Sequence, residues 1–190
     1  MTAAKLDTPI KGVHHGAFRC RDAEQTRWFY EDVLGLTVEG AVMSETVPGT
    51  GDDDPYLHIF FRMANGEYIA FFDAPNSADP SWFKRKESFD MHFAFEVDSE
   101  AELDAMQKRI NDMGVSALGP VEHGFVKSVY MYDPNGIQIE LTVRSDDHDE
   151  IFARERAGLK EELARWTSHT RGQKVQKFGA ESVDKRGRVR

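Results

Sequence analysis

Two kinds of hydrophobic spacing alternate along this chain, and their order occurs twice. From Lys11 to Cys20 apolar and polar residues alternate as in a strand with one buried face. Asp22-Ala23-Glu24-Gln25 then forms a capping box ahead of Trp28, Phe29, Val33 and Leu34, which are spaced for a helix that Gly35 ends. Leu36 to Met43 predicts a second strand, followed by a loop rich in Gly, Asp and Pro from Ser44 to Pro55. Tyr56 to Met63 and Glu67 to Asp73 predict two further strands, joined through the hairpin turn Ala64-Asn65-Gly66. This makes βαβββ. After a linker from Ala74 to Asp90 the order returns, with a strand from Met91 and a second capping box at Ser99-Glu100-Ala101-Glu102. The stripe Leu103, Met106, Ile110 and Met113 marks the second helix, its methionines read as core packing, and Gly114 closes it. Strands near Ala117 to His123, Val126 to Tyr132 and Ile137 to Val143 complete the copy, the last two joined by Asp133-Pro134-Asn135-Gly136.

The pattern therefore predicts an α+β fold built from two paired βαβββ units, at about residues 11–73 and 91–145, forming a curled mixed sheet. From Asp146 onward a helix bearing Phe152, Leu159, Leu163 and Trp166 is expected, then a basic, frayed end from Arg171 to Arg190. Residues 146–190 are thus a C-terminal helix and tail outside the 11–145 domain.

Composition narrows the chemistry. The chain has 190 residues, 40% of them hydrophobic, enough for one packed domain and a tail. A formal net charge of −9 argues against a nucleic-acid partner, which would need clustered Lys and Arg, and points to a small-molecule role. Cys20 is the single cysteine, which excludes an intrachain disulfide and a cysteine-based zinc site. Met1 to Thr8 has no apolar leader and no later run is long enough to span a bilayer, so a cytoplasmic protein that does not enter membranes is expected. A homo-oligomer is also expected.

The two units carry histidines at matching places. His15 shares a strand face with Ala17, opposite Gly16, Phe18 and Cys20; His92 shares one with Ala94, opposite Phe93, Phe95 and Val97. If an approximate twofold relates the units, both imidazoles face one shared space. Aligning the Asn-Gly turns sets Ala70 opposite Glu140, so one copy alone has a carboxylate, and Glu140 shares its face with Gln138 and Thr142. His15, His92 and Glu140 then form a two-histidine, one-carboxylate set, whose open positions suit a non-haem Fe(II) oxygenase. His14 has the opposite parity and is read as structural or as a supporting contact; His148 and His169 are read as surface residues.

This layout resembles the vicinal oxygen chelate superfamily over roughly Lys11 to Ser145. Within it, Val121-Glu122-His123, Val129-Tyr130, Asp133-Pro134-Asn135-Gly136 and Ile137-Gln138-Ile139-Glu140 resemble the complete signature of type I extradiol ring-cleaving dioxygenases, in their one-domain form. The resemblance implies Fe(II), with Mn(II) or another divalent metal as an alternative, on His15, His92 and Glu140. It implies a catechol-type substrate and O2 as partners, His58 as an acid-base residue, and His123 and Tyr130 at the rim of the open metal positions. Phe60, Phe71, Phe95 and Phe125 are candidates for apolar surroundings. Within the superfamily the alternatives are a glyoxalase I-like isomerase, which Ala70 disfavours, and a fosfomycin-type thiol transferase. From another class, a non-catalytic drug-binding module is the third.

Overall fold

The computed structural model describes residues 10–84 and 91–184, and the chain divides into two compact units at Arg144 and Ser145. The first unit contains the duplicated pattern. Strand β1 (His15–Cys20) leads into α1 (Ala23–Arg27), and β2 (Thr37–Thr46), β3 (Asp53–Arg62) and β4 (Tyr68–Asp73) follow. The second copy has β5 (His92–Glu96), α2 (Glu100–Asp112), β6 (Leu118–Glu122), β7 (Val126–Tyr132) and β8 (Gln138–Arg144). The strands form two mixed four-stranded sheets of identical order, β1-β4-β3-β2 and β5-β8-β7-β6, in which the first pair is parallel and the others antiparallel. Both Asn-Gly turns place their glycine at positive φ, +86° at Gly66 and +80° at Gly136, a conformation glycine adopts without steric cost.

Local chemistry explains the helix starts and one departure from the expected helix. Asp22 and Ser99 accept hydrogen bonds from the backbone N–H groups of Gln25 and Glu102, the N-cap half of each expected box, while the Glu102 carboxylate reaches back to the Asp98 N–H and Gln25 to the Arg21 guanidinium. After α1 the chain continues as a π-helix, Trp28–Val33. Arg27 reaches Asp32 at 3.0 Å as well as Glu24 and Glu31, and a pairing five residues apart belongs to the wider π-turn rather than to an α-turn. The loop expected from Ser44 to Pro55 shrinks to residues 47–52, because β2 and β3 pair as far as Thr46 with Asp53. Between the copies the described residues contain a 3-10 turn, Pro80–Phe83, capped by Asp79, and residues 85–90 of the expected linker lie outside the described residues.

One apolar core joins the two copies: Phe29, Tyr30, Phe61 and Phe71 from the first pack in the same cluster as Leu103, Ile110, Val129, Met131 and Ile139 from the second. Phe71 and Phe95 are therefore core residues, while Phe60 lies on the opposite face of β3 and Phe125 is exposed in the β6–β7 turn. Burial pushes the Cys20 thiol up to about 12, so it stays protonated.

The copies are tied by a buried polar cluster. The Tyr30 hydroxyl donates to Asp133 at 3.0 Å, the Asn135 side-chain amide donates to Thr26 and Asp133, and the Arg21 N–H donates to the Asn135 oxygen. Asp133 also accepts from the backbone of Asn135 and Ile137. On the other side Arg109 of α2 donates to the carbonyls of Asp32 and Val33.

The second unit contains α3 (His148–Phe178) and α4 (Ala180–Asp184), joined by a bidentate Arg171–Asp184 pair. The segment from Arg171 to Asp184, expected to fray, is thus helical apart from Gly179; residues 185–190 lie outside the described residues.

Tyr30→Phe should lower the unfolding free energy by about 1 kcal/mol, one net hydrogen bond, and Asn135→Ala by about 2 kcal/mol or more, because it strands several buried partners. Denaturant unfolding followed by fluorescence measures both.

Candidate metal centre

The registers confirm the alignment of the two copies and show where it is broken. Ala17 of β1 lies opposite Ala70 of β4, and Ala94 of β5 lies opposite Glu140 of β8. Phe60 occupies in the first copy the place of Tyr130 in the second, and His58 that of Ser128. Duplicated positions thus carry unequal chemistry.

Glu140 is 5% exposed, so its carboxylate requires partners. One oxygen lies 2.8 Å from His92 Nε2, and the other accepts from the Tyr130 hydroxyl at 3.1 Å. The Tyr130 oxygen is also 2.7 Å from His123 Nε2. A phenol has one hydrogen and a carboxylate only accepts, so Tyr130 gives its proton toward Glu140 and His123 donates to Tyr130. Likewise a proton on His92 Nε2 bridges to Glu140. The result is a continuous chain, His123 to Tyr130 to Glu140 to His92, across β5, β8 and β7. Burial and the Glu140 charge raise the Tyr130 hydroxyl above its usual value of 10.

His15 and His58 sit together in the first copy, their rings 6.1 Å apart. His15 Nδ1 is 2.8 Å from His14 Nδ1, so the two neighbouring imidazoles contact each other. His58 stacks on Phe72 at 3.7 Å, and its Nε2 is buried without a hydrogen-bond partner. Burial, reinforced by His15, lowers its pKa below 6.5 and favours the neutral imidazole. Beside it is a cavity of about 440 Å3 lined by Arg19, Asp54, Tyr56, His58 and Phe72 among others. The Arg19 guanidinium is anchored on Ala74 O and Ser77 Oγ, and one Asp54 oxygen is also buried and unpartnered. Sequence reading missed Arg19 and Asp54; their only signal was parity with His15 and His58, respectively.

The structure therefore gathers His92, Glu140, Tyr130 and His123, and it does not bring His15 into the same cluster. Among the described residues no three His, Cys, Asp or Glu side chains converge closely enough to hold an ion. The reason lies in the strand edges. β1 and β5 end separate sheets and meet through side chains, the Phe93 ring packing against Gly16 and Phe18. Gly16, Phe18 and Phe93 face the core, so alternation sends His15 and His92 out of the reverse face, where both are exposed. His15 then turns to His14.

A model of the family described as Glyoxalase/Bleomycin resistance protein/Dioxygenase superfamily matches residues 12–141. Among solved structures, a glyoxalase/dioxygenase from Nostoc punctiforme is 23% identical with a TM-score of 0.55, covering 77% of this chain and 99% of that one. A glyoxylase/bleomycin resistance protein/dioxygenase domain from Frankia sp. EAN1pec is 17% identical, TM-score 0.59, covering 72% and 100%. The fosfomycin resistance protein FosX from Listeria monocytogenes, solved also complexed with Mn(II) and sulfate, is 22% identical, TM-score 0.53, covering 74% and 98%. At these identities the likeness concerns the fold. No curated protein matches the chain by sequence. No helix among the described residues is long and apolar enough to cross a membrane.

In an ultraviolet pH titration both Tyr30 and Tyr130 should ionise above 10, and Tyr130→Phe should remove one of these two late-titrating phenols; a Tyr130 that titrates at or below 10 contradicts its burial beside Glu140.

Proposed function

This chain belongs to the glyoxalase/bleomycin resistance protein/dioxygenase superfamily, and from that premise we propose that it is a metal-dependent extradiol dioxygenase, opening the ring of a catechol-type substrate with O2. The observation that carries the reading is the pairing of His92 with Glu140 at 2.8 Å, backed by Tyr130 and His123. An imidazole nitrogen and a carboxylate oxygen at that separation fit neighbouring ligands of one cation, which would replace the proton now between them. Glu140 and His92 would hold it from the second copy. His15, on the adjacent edge strand, is the third ligand, exchanging its contact with His14 for the cation. Fe(II) is the metal we assign, and Mn(II), which FosX from Listeria monocytogenes was solved with, is the alternative. When bound, the metal acts as a Lewis acid that lowers the pKa of the substrate hydroxyls and leaves positions open for diol and O2.

The chain's own residues supply the rest. His58 Nε2, neutral and lacking a partner, can accept a proton from one hydroxyl of the diol and later return it. His123 and Tyr130 offer N–H and O–H groups to oxygen atoms on which negative charge develops, and their mutual hydrogen bond orients both before substrate arrives. Phe60 and Phe72 flank His58 and give an aromatic substrate apolar ring faces. The carbon–carbon bond beside the diol breaks and both atoms of O2 enter the product, leaving a ring-opened semialdehyde or keto acid.

One observation favours a second reading. The cavity beside His58 carries the Arg19 guanidinium, a cation that can pair with an anionic substrate, as in a thiol transferase acting on fosfomycin.

Protein loaded anaerobically with Fe(II) and then given catechol, 3-methylcatechol or 3,4-dihydroxybenzoate in air should produce a coloured ring-opened product. Bound iron without turnover, together with consumption of fosfomycin and a thiol, would transfer the assignment to the second reading. Glu140→Ala should weaken iron retention at least tenfold, measured as iron per protein after desalting; full retention removes Glu140 from the ligand set. His15→Ala should weaken retention too, whereas His14→Ala should not, since it only releases His15.

A further inference from the structure

The surface left unexplained is the long helix α3. Its 31 residues extend about 46 Å at the usual rise per residue. Every residue from Phe152 to His169 is exposed, including Leu159 at 50%, Leu163 at 56% and Trp166 at 57%. Its ends are less open: His148 and Ile151 are half-buried at the start, and Thr170 is buried near the end, where α4 returns. A helix with no buried face derives little stability from packing, and exposed helices in water are marginal.

The exposed apolar residues follow a heptad seam. Spacings of four and three connect Leu159, Leu163 and Trp166, and the same spacing extends back through Arg156 to Phe152, which packs on the His148 ring. Setting Leu163 at an a position puts Leu159 and Trp166 at d and Arg156 at the preceding a. Ala153, Lys160 and Thr167 then fall at e, and Glu155, Glu162 and His169 at g. So narrow a stripe is the seam of a helix pair rather than the broad face that lies on a sheet.

The flanking charges select the occupant. Glu155 and Lys160 make no ion pair among the described residues. Where two copies of α3 lie parallel and in register, each g position faces the e position five residues further along the other helix, so Glu155 of each copy meets Lys160 of the other. An antiparallel pair would instead oppose glutamates to glutamates along one flank. The helix is therefore self-complementary in one orientation only. We propose that α3 is a dimerisation element, two copies of this chain pairing in parallel through Leu159, Leu163 and Trp166, with the Arg156 layer fixing the register at some cost in affinity.

The test uses the full chain carrying Arg156→Cys. In the parallel pair the two 156 positions face each other across the seam, close enough for a disulfide, and native Cys20 is buried and does not compete. Mild oxidation should give a species of doubled mass on a non-reducing gel. Adding Leu163→Glu to the same chain should reduce that yield at least tenfold while circular dichroism shows the fold retained. Glu155→Lys should lower the yield, and Glu155→Lys with Lys160→Glu should restore it. Failure of Arg156→Cys to cross-link in folded protein overturns the proposal, whether α3 is then antiparallel, covered by its own chain or bound to something else. Equal cross-linking with and without Leu163→Glu overturns it as well, since the disulfide would then reflect random collision.

Discussion

Whatever the site does depends on how two open sheets are held against each other, and the buried cluster around Asp133 does much of that holding. Asp133 and Asn135 belong to the turn between β7 and β8, yet their partners Tyr30, Thr26 and Arg21 come from the other copy. Burial raises the Asp133 carboxyl above its ordinary value, but four donors satisfy its two oxygens. The Asp-Pro-Asn-Gly run that reads as part of a catalytic signature is therefore structural in this fold. It closes a hairpin, anchors α1, and sets the register that delivers Glu140 four residues beyond Gly136.

Unequal side chains at equivalent positions of the two copies divide the labour. The second copy keeps the carboxylate and the phenol, in Glu140 and Tyr130, where the first has Ala70 and Phe60. The first copy instead holds His58 against an aromatic wall, where the second has buried Ser128 bonded to Thr142. The carboxylate and the phenol thus sit in one copy and the histidine against an aromatic wall in the other, so equivalent positions of the two copies supply different chemistry.

Much of this was legible in the sequence, because strand parity and turn chemistry are local. The βαβββ order, both caps, the equivalence of Ala70 with Glu140 and the meeting of His92 with Glu140 all follow from spacing along single elements. What spacing does not contain is the angle between two sheets that share no hydrogen bonds, which is why the place of His15 was beyond it. The π-helical turn was hidden as well: it is accompanied by an Arg27–Asp32 pairing five residues apart, which apolar periodicity does not record. Phe71 and Phe95 were grouped with Phe60 by residue type, although parity alone separates them. The polarity of Arg171 to Asp184 suggested fraying, whereas Arg171 clamps Asp184 and folds the chain back into α4.

Gly16 acts as a spacer between β1 and β5. A β-carbon there would sit 3.2 Å from the edge of the Phe93 ring, tighter than ordinary packing. The gap between the two histidine-bearing strands is thus held at its minimum by a lone hydrogen atom. Enlarging that residue by one methyl would act as a wedge: the Phe93 ring edge would have to give by a few tenths of an ångström, changing the spacing of the two edge strands while their histidines stay chemically intact.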